Sequence, residues 1–399
     1  MVRHTSLFSQ LVALFNRGQF HSLVFRHKAE RYAKAFSSWD HFVAMLFCQL
    51  AQAKSLREIC GGLSCCLGKL RHLGVKKAPN KSTLSYANAH RPWQMYQELF
   101  YQTLDVCRLA NTSKHRFRFK NKLLSLDSST ISLCLSLFPW AKFRRTKGAV
   151  KLHLLLDHDG YLPTYAYISN GKKHDVTIAR KVPLSPYSII TMDKGYNDYS
   201  LFAYWTENHI YFVTRLKDNA DYTVVEEHAV PKNRNILADE LIQFNGHYAR
   251  KKCPHILRKV VVWDKEQNRK IVLLTNHRKF GATTISEIYK DRWQIELFFK
   301  ALKQNLKVKT FVGTSENALY IQIWTALIAM LLIKYLRFKS KFNWSLSNLV
   351  AFLRWNLFTY RDLWDWIDNP FDVLPDNPGP VQDLLPFKGI GQHQLKTAT

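Results

Sequence analysis

Acidic residues are scarce. The chain sets 30 Asp and Glu against 58 Lys and Arg, a formal charge of +28 over 399 residues. An excess of that size, spread along the chain, points to a polyanionic partner. It gives the partner's class and not the reaction, because ribosomal, membrane-surface and nuclease readings share it. Cysteine is also thin. The seven (Cys48, Cys60, Cys65, Cys66, Cys107, Cys134, Cys253) are an odd number without a CxxC spacing. That excludes a disulfide framework and argues against structural zinc. Reduced core thiols in a cytoplasmic protein are expected. No charged n-region followed by an apolar h-region opens the chain, so no secretory signal is expected. Long hydrophobic runs are missing too. The most apolar stretch, Ala318 to Ile333, contains Gln322 and falls short of the ~20 residues a membrane span needs. It reads as a core helix, and no membrane partner is expected. No internal repeat is apparent.

What is present is a globular composition, 47% hydrophobic and 14% aromatic, with length for two or three domains. The most informative stretch runs from Tyr289 to Lys303. Thr284 and Glu287 form a capping box ahead of it, and no Gly or Pro interrupts it before Gly313. As one helix, it places Tyr289, Arg292, Glu296 and Lys303 within about 60° of arc. Trp293, Ile295, Leu297, Phe298, Phe299, Ala301, Leu302 and Leu306 supply an apolar surround. An i,i+4 pair of Glu296 with Lys300 accounts for the charges on a solvated helix. The surround favours instead a mostly buried helix with one polar edge in a cleft. A carboxylate among cations there suits a metal ligand in a site that grips phosphates.

The spacing Tyr-x2-Arg-x3-Glu-x6-Lys resembles the signature helix of bacterial insertion-sequence transposases of the DDE class, in particular the insertion-sequence family four branch. That resemblance implies two upstream aspartates, each ending a strand. Leu123 to Asp127, followed by Ser-Ser-Thr-Ile, fits the first. Tyr187 to Asp193, followed by Lys-Gly195-Tyr196, fits the second. Either aspartate alone reads as a turn or cap residue. Both, in this order before Glu296, are hard to assign to coincidence.

The rest of the chain is read around these motifs. Residues 1–110 are expected to be helical: a helix from His41, one from Ser55 ended by Gly61 and Gly62, one over Leu67–Gly74, and one over Asn80–Arg91 with Ser82 as N-cap. These suit a helix-turn-helix or an ordinary bundle equally. Residues 111–122 are a polar, basic linker leading to a strand edge. Lys142 to Lys147 is a basic loop. A hairpin turns at Asp159-Gly160, and His174 with Asp175 reads as a loop or cap pair. A β-rich insertion, about 218–280, separates Asp193 from Glu296. Residues 316–366 are helical, and an acidic, Pro-rich tail follows Asp368.

The expected fold is α/β. A ribonuclease H-like catalytic core at 119–335 carries the insertion. A helical N-terminal DNA-binding domain (1–110) precedes it, and a helical C-terminal region with an extended tail (336–399) follows. The resemblance implies that Asp127, Asp193 and Glu296 are catalytic and bind two Mg²⁺ or Mn²⁺ ions. It implies that Tyr289, Arg292, Lys303 and Arg215 hold DNA. Trp263 suits either a core position or stacking on a flipped base. The implied activity is cut-and-paste transposition. The implied partners are the transposon's terminal inverted repeats, target DNA and a second copy in a synaptic homodimer, at the cytoplasmic nucleoid. A metal-dependent nuclease that cuts without joining, and a DNA-binding protein with a decayed site, remain the alternatives.

Overall fold

The computed structural model describes residues 5–372, except 32, 34, 67, 68, 113–115, 146 and 233. Six helices lead: α1 (Leu7–Ala13), α2 (Arg17–Arg26), α3 (Ser38–Leu50), α4 (Leu56–Ser64), α5 (Lys81–His90) and α6 (Gln94–Ala110). Side-chain caps on Ser6, Asn16, Ser37, Ser55 and Asn80 start the first five. Two expectations are corrected here. Asn80, not Ser82, caps α5, because its Oδ1 accepts from Thr83 N at 2.9 Å and from the Ser82 hydroxyl at 3.0 Å. And α4 runs through Gly61 and Gly62 instead of stopping. A Cβ on Gly62 would lie 2.7 Å from the Phe47 ring, so glycine there lets α4 close onto α3. Of the Leu67–Gly74 helix, a 3-10 turn at Lys69–Leu73 is described. Residues 67 and 68 lie outside the described residues.

One mixed sheet follows. Its first strands are β1 (Leu123–Leu133), β2 (Lys142–Arg144), β3 (Lys147–Asp157) and β4 (Leu162–Asn170). After helix α7 (Asp175–Ala179) come β5 (Ile189–Met192), helix α8 (Tyr199–Glu207) and β6 (Tyr211–Arg215). β3 pairs antiparallel with β4 and β1, forming the expected hairpin. β1, β5 and β6 then run parallel. The expected insertion comprises β7 (Tyr222–Glu227), β8 (Ile236–Phe244), α9 (His247–Lys252), β9 (Leu257–Asp264) and β10 (Arg269–Thr275). It extends the same sheet, since β10 pairs antiparallel with β6, and β9, β8 and β7 follow outward. β1 does not end at Asp127 as expected. Asp127 is its fifth residue, and the strand continues against β3 to Leu133.

The last helices are α10 (Ala282–Asp291), α11 (Trp293–Asn305), α12 (Glu316–Lys339), α13 (Leu346–Asn356) and α14 (Leu363–Asp368). α12 is long and apolar enough to cross a membrane, but it lies inside the protein. Its polar Gln322 is fully satisfied there: Nε2 donates to the Lys307 and Thr310 carbonyls at 2.8 Å, and Oε1 accepts from Val312 N at 2.9 Å. α12 packs on α3, α5, α6 and α13. One continuous core therefore joins the N-terminal helices, a sheet face carrying Ile131, Val150, Leu152 and Leu154, and the C-terminal helices. The opposite face, through Leu124, Leu126 and Met192, packs on α8. The Pro-rich tail beyond residue 372 lies outside the described residues.

Candidate functional site: three carboxylates in a basic pocket

The sheet register brings the two aspartates together. Leu126 pairs with Met192 in the last parallel step of β1 and β5, so Asp127 and Asp193 follow at the same level. There the strands part. β1 carries on beside β3, while β5 turns into a 3-10 turn, Lys194–Tyr196. Asp193 caps that turn, accepting from Gly195 N at 2.9 Å. A Cβ on Gly195 would sit 3.0 Å from the same carboxylate oxygen, which explains the glycine. Asp127 accepts from Ser128 N at 2.7 Å.

Glu296 arrives on α11, and here the expected single helix is corrected. α10 starts at Ala282 after Gly281, without a side-chain cap, so Thr284 and Glu287 make no capping box. The helix then breaks for one residue at Arg292 (φ −50°, ψ −31°). Arg292 N bonds to the Tyr289 carbonyl, and Ile295 N to the Arg292 carbonyl, tightening the turn to i→i+3. Asp291 sits at the break because its buried carboxylate is drawn to His158, Tyr161 and the half-exposed Arg116. The break preserves the functional edge. The apolar surround is only partial, since Trp293 is 55% and Leu297 40% exposed.

A pocket of about 560 Å³ opens between the strand ends and α11. Asp127, Asp193, Glu296, Tyr289, Arg292, Lys303 and Arg215 all line it. Trp263, half-buried on β9, does not. Lys194, Lys300, Ser128 and Ser129 line it as well and were missed as site residues. Lys300 was legible, because it falls on the same helical edge as Glu296. Pairing Lys300 with Glu296 was the wrong assignment: the carboxylate takes Arg292 Nη2 at 2.5 Å. Lys303 Nζ donates to the Thr130 carbonyl at 3.2 Å and ties α11 to β1. Arg292 also keeps a buried Nε–H with no acceptor among the described residues.

The electrostatics follow from crowding. Burial pushes the Asp127 carboxyl up to about 7, and the neighbouring Asp193 and Glu296 charges add to the rise. The Ser128 N–H and Arg292 oppose it. Burial disfavours the Arg292 charge, but Tyr289, Glu296 and Asp127 outweigh that and hold its pKa above the ordinary value. Burial and Lys309 lower the Lys303 pKa. Three oxygen donors of hard character around one pocket fit a divalent cation of the Mg²⁺ or Mn²⁺ type. Crowded negative charge at Asp127 is what such a cation would relieve. In the arrangement shown, no three His, Cys, Asp or Glu groups among the described residues converge on one point. Glu296 faces Arg292 instead.

Comparison with known proteins places this geometry in context. Residues 118–332 match the family described as the transposase DDE domain. Residues 3–76 match a family described as a domain of unknown function. The inferred transposase y4zB of Sinorhizobium fredii is 29% identical over 307 residues, covering 76% of this chain and 84% of its own. The probable transposase for insertion sequence element IS5377 of Geobacillus stearothermophilus is 28% identical over 276 residues, covering 68% and 72%. Among solved structures, a piggyBac transposase synaptic complex with hairpin DNA superposes with a TM-score of 0.43 at 13% identity, covering 80% of this chain and 70% of that one.

Proposed function

The chain belongs to the transposase DDE domain family, and from that premise we propose that it moves an insertion sequence by cut-and-paste DNA transposition. The observation that carries this reading is one pocket holding Asp127, Asp193 and Glu296 together with the cations of β6 and α11. We place the pocket in a ribonuclease H-like core and assign the chain to the insertion-sequence family four branch. The order of motifs and the Tyr289-Arg292-Glu296-Lys303 spacing support both assignments.

Members of this family use divalent metal ions. Asp127, Asp193 and Glu296 would hold two such ions, which would activate the attacking water or 3′-hydroxyl and stabilise the leaving oxygen. The chain's own residues do the rest. Arg292 releases Glu296 to the ligand set and turns its guanidinium, including the unpartnered Nε–H, to a phosphate. Lys300, Lys303, Lys194 and Arg215 neutralise adjoining phosphates, and Tyr289 offers a phenol donor beside them. None of these six is a metal ligand. Their work is to hold a bent strand still while its bonds are exchanged. Through that grip a hairpin forms on each transposon end.

The partners proposed are terminal inverted repeats, target DNA and a second copy of the chain in the synaptic complex, at the cytoplasmic nucleoid. The N-terminal helices would recognise the repeats, with α5 presenting exposed Lys81, Ser82, Ser85, Tyr86 and His90. Trp263, away from the pocket, would stack a flipped base only after DNA reaches β9. The deciding experiment incubates the purified chain with plasmid DNA carrying its insertion sequence, with Mg²⁺ or with a chelator. Excised ends joined to a new target, only with Mg²⁺, are expected. Metal-dependent nicking without joined product would leave a nuclease in place of a transposase.

A further inference from the structure

The basic segment ahead of β1 has no part in the pocket just described. Its sequence, Arg116-Phe-Arg-Phe-Lys-Asn-Lys122, alternates. Arg116, Arg118, Lys120 and Lys122 are exposed, whereas Phe117 and Phe119 are half-buried. The two rings anchor the segment. Phe117 stacks on Phe119 at 5.0 Å, Phe119 on Phe280 at 4.9 Å, and Phe280 on His277 at 3.8 Å. The segment is bent and not a strand, and it sets the four cations on alternate residues with their side chains in solvent. Anchoring by the two rings limits the backbone freedom that the segment would lose on binding.

Clefts of about 470 Å³ and 290 Å³ flank the row and share Lys120, Asn121 and Lys122. Asp159 is the only carboxylate lining either cleft among the described residues. Arg116 pairs with Asp291, and Lys122 with Asp157 at 2.9 Å. Arg118 and Lys120 make no ion pair with described residues.

A second observation stands at the end of the row. Tyr187 is 59% exposed and has φ +66°. A bulky side chain rarely adopts the left-handed region, and strain of this kind gathers at functional sites. Two hydrogen bonds hold it there: its N–H donates to the His209 carbonyl at 2.7 Å, and its carbonyl accepts from Asn121 Nδ2 at 2.6 Å. Its ring lies against His209, 13° from coplanar. The outcome is an aromatic face turned to solvent beside Lys120 and Lys122.

The geometry points to a second DNA site: we propose that residues 116–122 and Tyr187 bind a single, unpaired DNA strand, backbone on the cations and a base on the tyrosine ring. This rests on the reading of the chain as a DNA-processing enzyme. An unpaired strand fits better than a duplex, because a duplex keeps its base faces stacked inside, out of reach of the exposed Tyr187 ring. The site is not the catalytic pocket. It lies where β1 and β5 begin, and Leu123 is four residues, about 13 Å, from Asp127 along β1.

The test is the affinity of the full chain, in chelator, for a fluorescent oligothymidine of about twelve nucleotides. Arg118→Ala with Lys120→Ala should reduce the salt slope by about 1.4 and weaken binding roughly 25-fold at ~0.1 M salt. Tyr187→Ala should weaken it at least ~5-fold and leave an abasic strand of equal length unaffected. Unchanged affinity in the double variant would overturn the proposal. So would a Tyr187→Ala loss that is equal on the abasic strand, or a double-variant loss confined to duplex DNA. The outcome is independent of the transposase reading. Failure of the wild-type chain to excise DNA, with this binding pattern intact, would reject that reading and leave the strand site standing.

Discussion

Arg292 Nη2 lies 2.5 Å from Glu296 Oε1 across the break between α10 and α11. The pair is mostly shielded from solvent, and the Arg292 guanidinium also lies over the Tyr289 ring at 5.5 Å. One cation thus neutralises Glu296, the glutamate proposed as a metal ligand. The proposed binding of DNA and metal at this pocket would exchange that partnership: the glutamate for a cation, the arginine for a phosphate.

The exchange predicts how Arg292→Ala behaves. Glu296 is freed, so its ligand role survives. The phosphate clamp is lost, at ~1.5–3 kcal/mol for a charged hydrogen bond, or roughly 10- to 100-fold in rate. Hairpin formation and resolution should slow by that factor, while the first nick slows less. Lys303→Ala should follow the same pattern. Time courses on pre-nicked and intact ends measure both steps. Equal slowing of the two, as severe as in Glu296→Gln, would remove the division of labour.

The three carboxylates should behave differently. Asp127→Asn, Asp193→Asn and Glu296→Gln each delete one ligand oxygen charge from the proposed site. Each should lower cleavage by at least ~10³-fold, comparable with the loss of a main electrostatic catalytic group. End binding in a gel-shift should stay near wild type, because Lys194, Arg215, Lys300 and Lys303 remain. Near-normal cleavage by any one variant would strike that residue from the set.

The same pocket shows what the sequence could and could not reveal. The aspartates were legible because each follows a run of apolar residues, and the parallel register carries both to one level. The helix edge was legible because a one-residue break leaves the phase of Tyr289, Arg292, Glu296 and Lys303 intact. The break itself was not, since its cause is remote: His158 and Arg116 draw Asp291 inward from more than a hundred residues away. Strand β1 was cut short for a similar reason, because only its pairing with β3 shows that Asp127 lies inside it. The segment limits drawn at 110 and 335 follow composition, and composition is blind to α12, which fills the core beneath the N-terminal helices. Trp324, Leu327 and Leu331 on α12 are buried there. A fragment of the catalytic segment alone would expose that helix to water.

Acid should weaken the fold through buried histidine. His41 is fully buried and lies 2.8 Å from Asn88 Oδ1 through Nε2. Burial, with help from Arg91, drops its pKa from 6.5 to about 3. Its folded pKa lies below the unfolded one, so between them the unfolded chain binds more protons. Stability therefore falls as pH drops below 6.5, and the loss levels off below about 3. At pH 5 the cost from this residue alone is ~2 kcal/mol. His153 and His277, each lowered to about 4, act in the same direction. Urea unfolding at pH 7 and 5 should show the decline, and His41→Gln should flatten it. A variant with the full wild-type decline would clear His41 of the effect.

The final prediction concerns what fixes β1 against α11. Ser125, two residues before Asp127, lies 2.6 Å from His158 Nε2 through its hydroxyl. His158 Nδ1 lies 2.5 Å from Asp291 Oδ2, and Asp291 immediately precedes Arg292. The connectivity resembles a serine hydrolase triad, yet Ser125 is wholly buried, so no substrate reaches its hydroxyl. The relay instead joins the strand bearing Asp127 to the junction that precedes Glu296. Asp291→Ala leaves His158 and the half-exposed Arg116 without their acceptor, a cost of ~2–3 kcal/mol. Ser125→Ala removes one neutral hydrogen bond, ~1 kcal/mol. Both should lower the cleavage rate at saturating DNA more than they weaken DNA binding, since the phosphate-binding cations are untouched. The order in rate should follow the order in stability. If Asp291→Ala kept wild-type stability to within ~0.5 kcal/mol, or lost DNA affinity in proportion to rate, the relay would not be what sets Arg292 and Glu296 over Asp127.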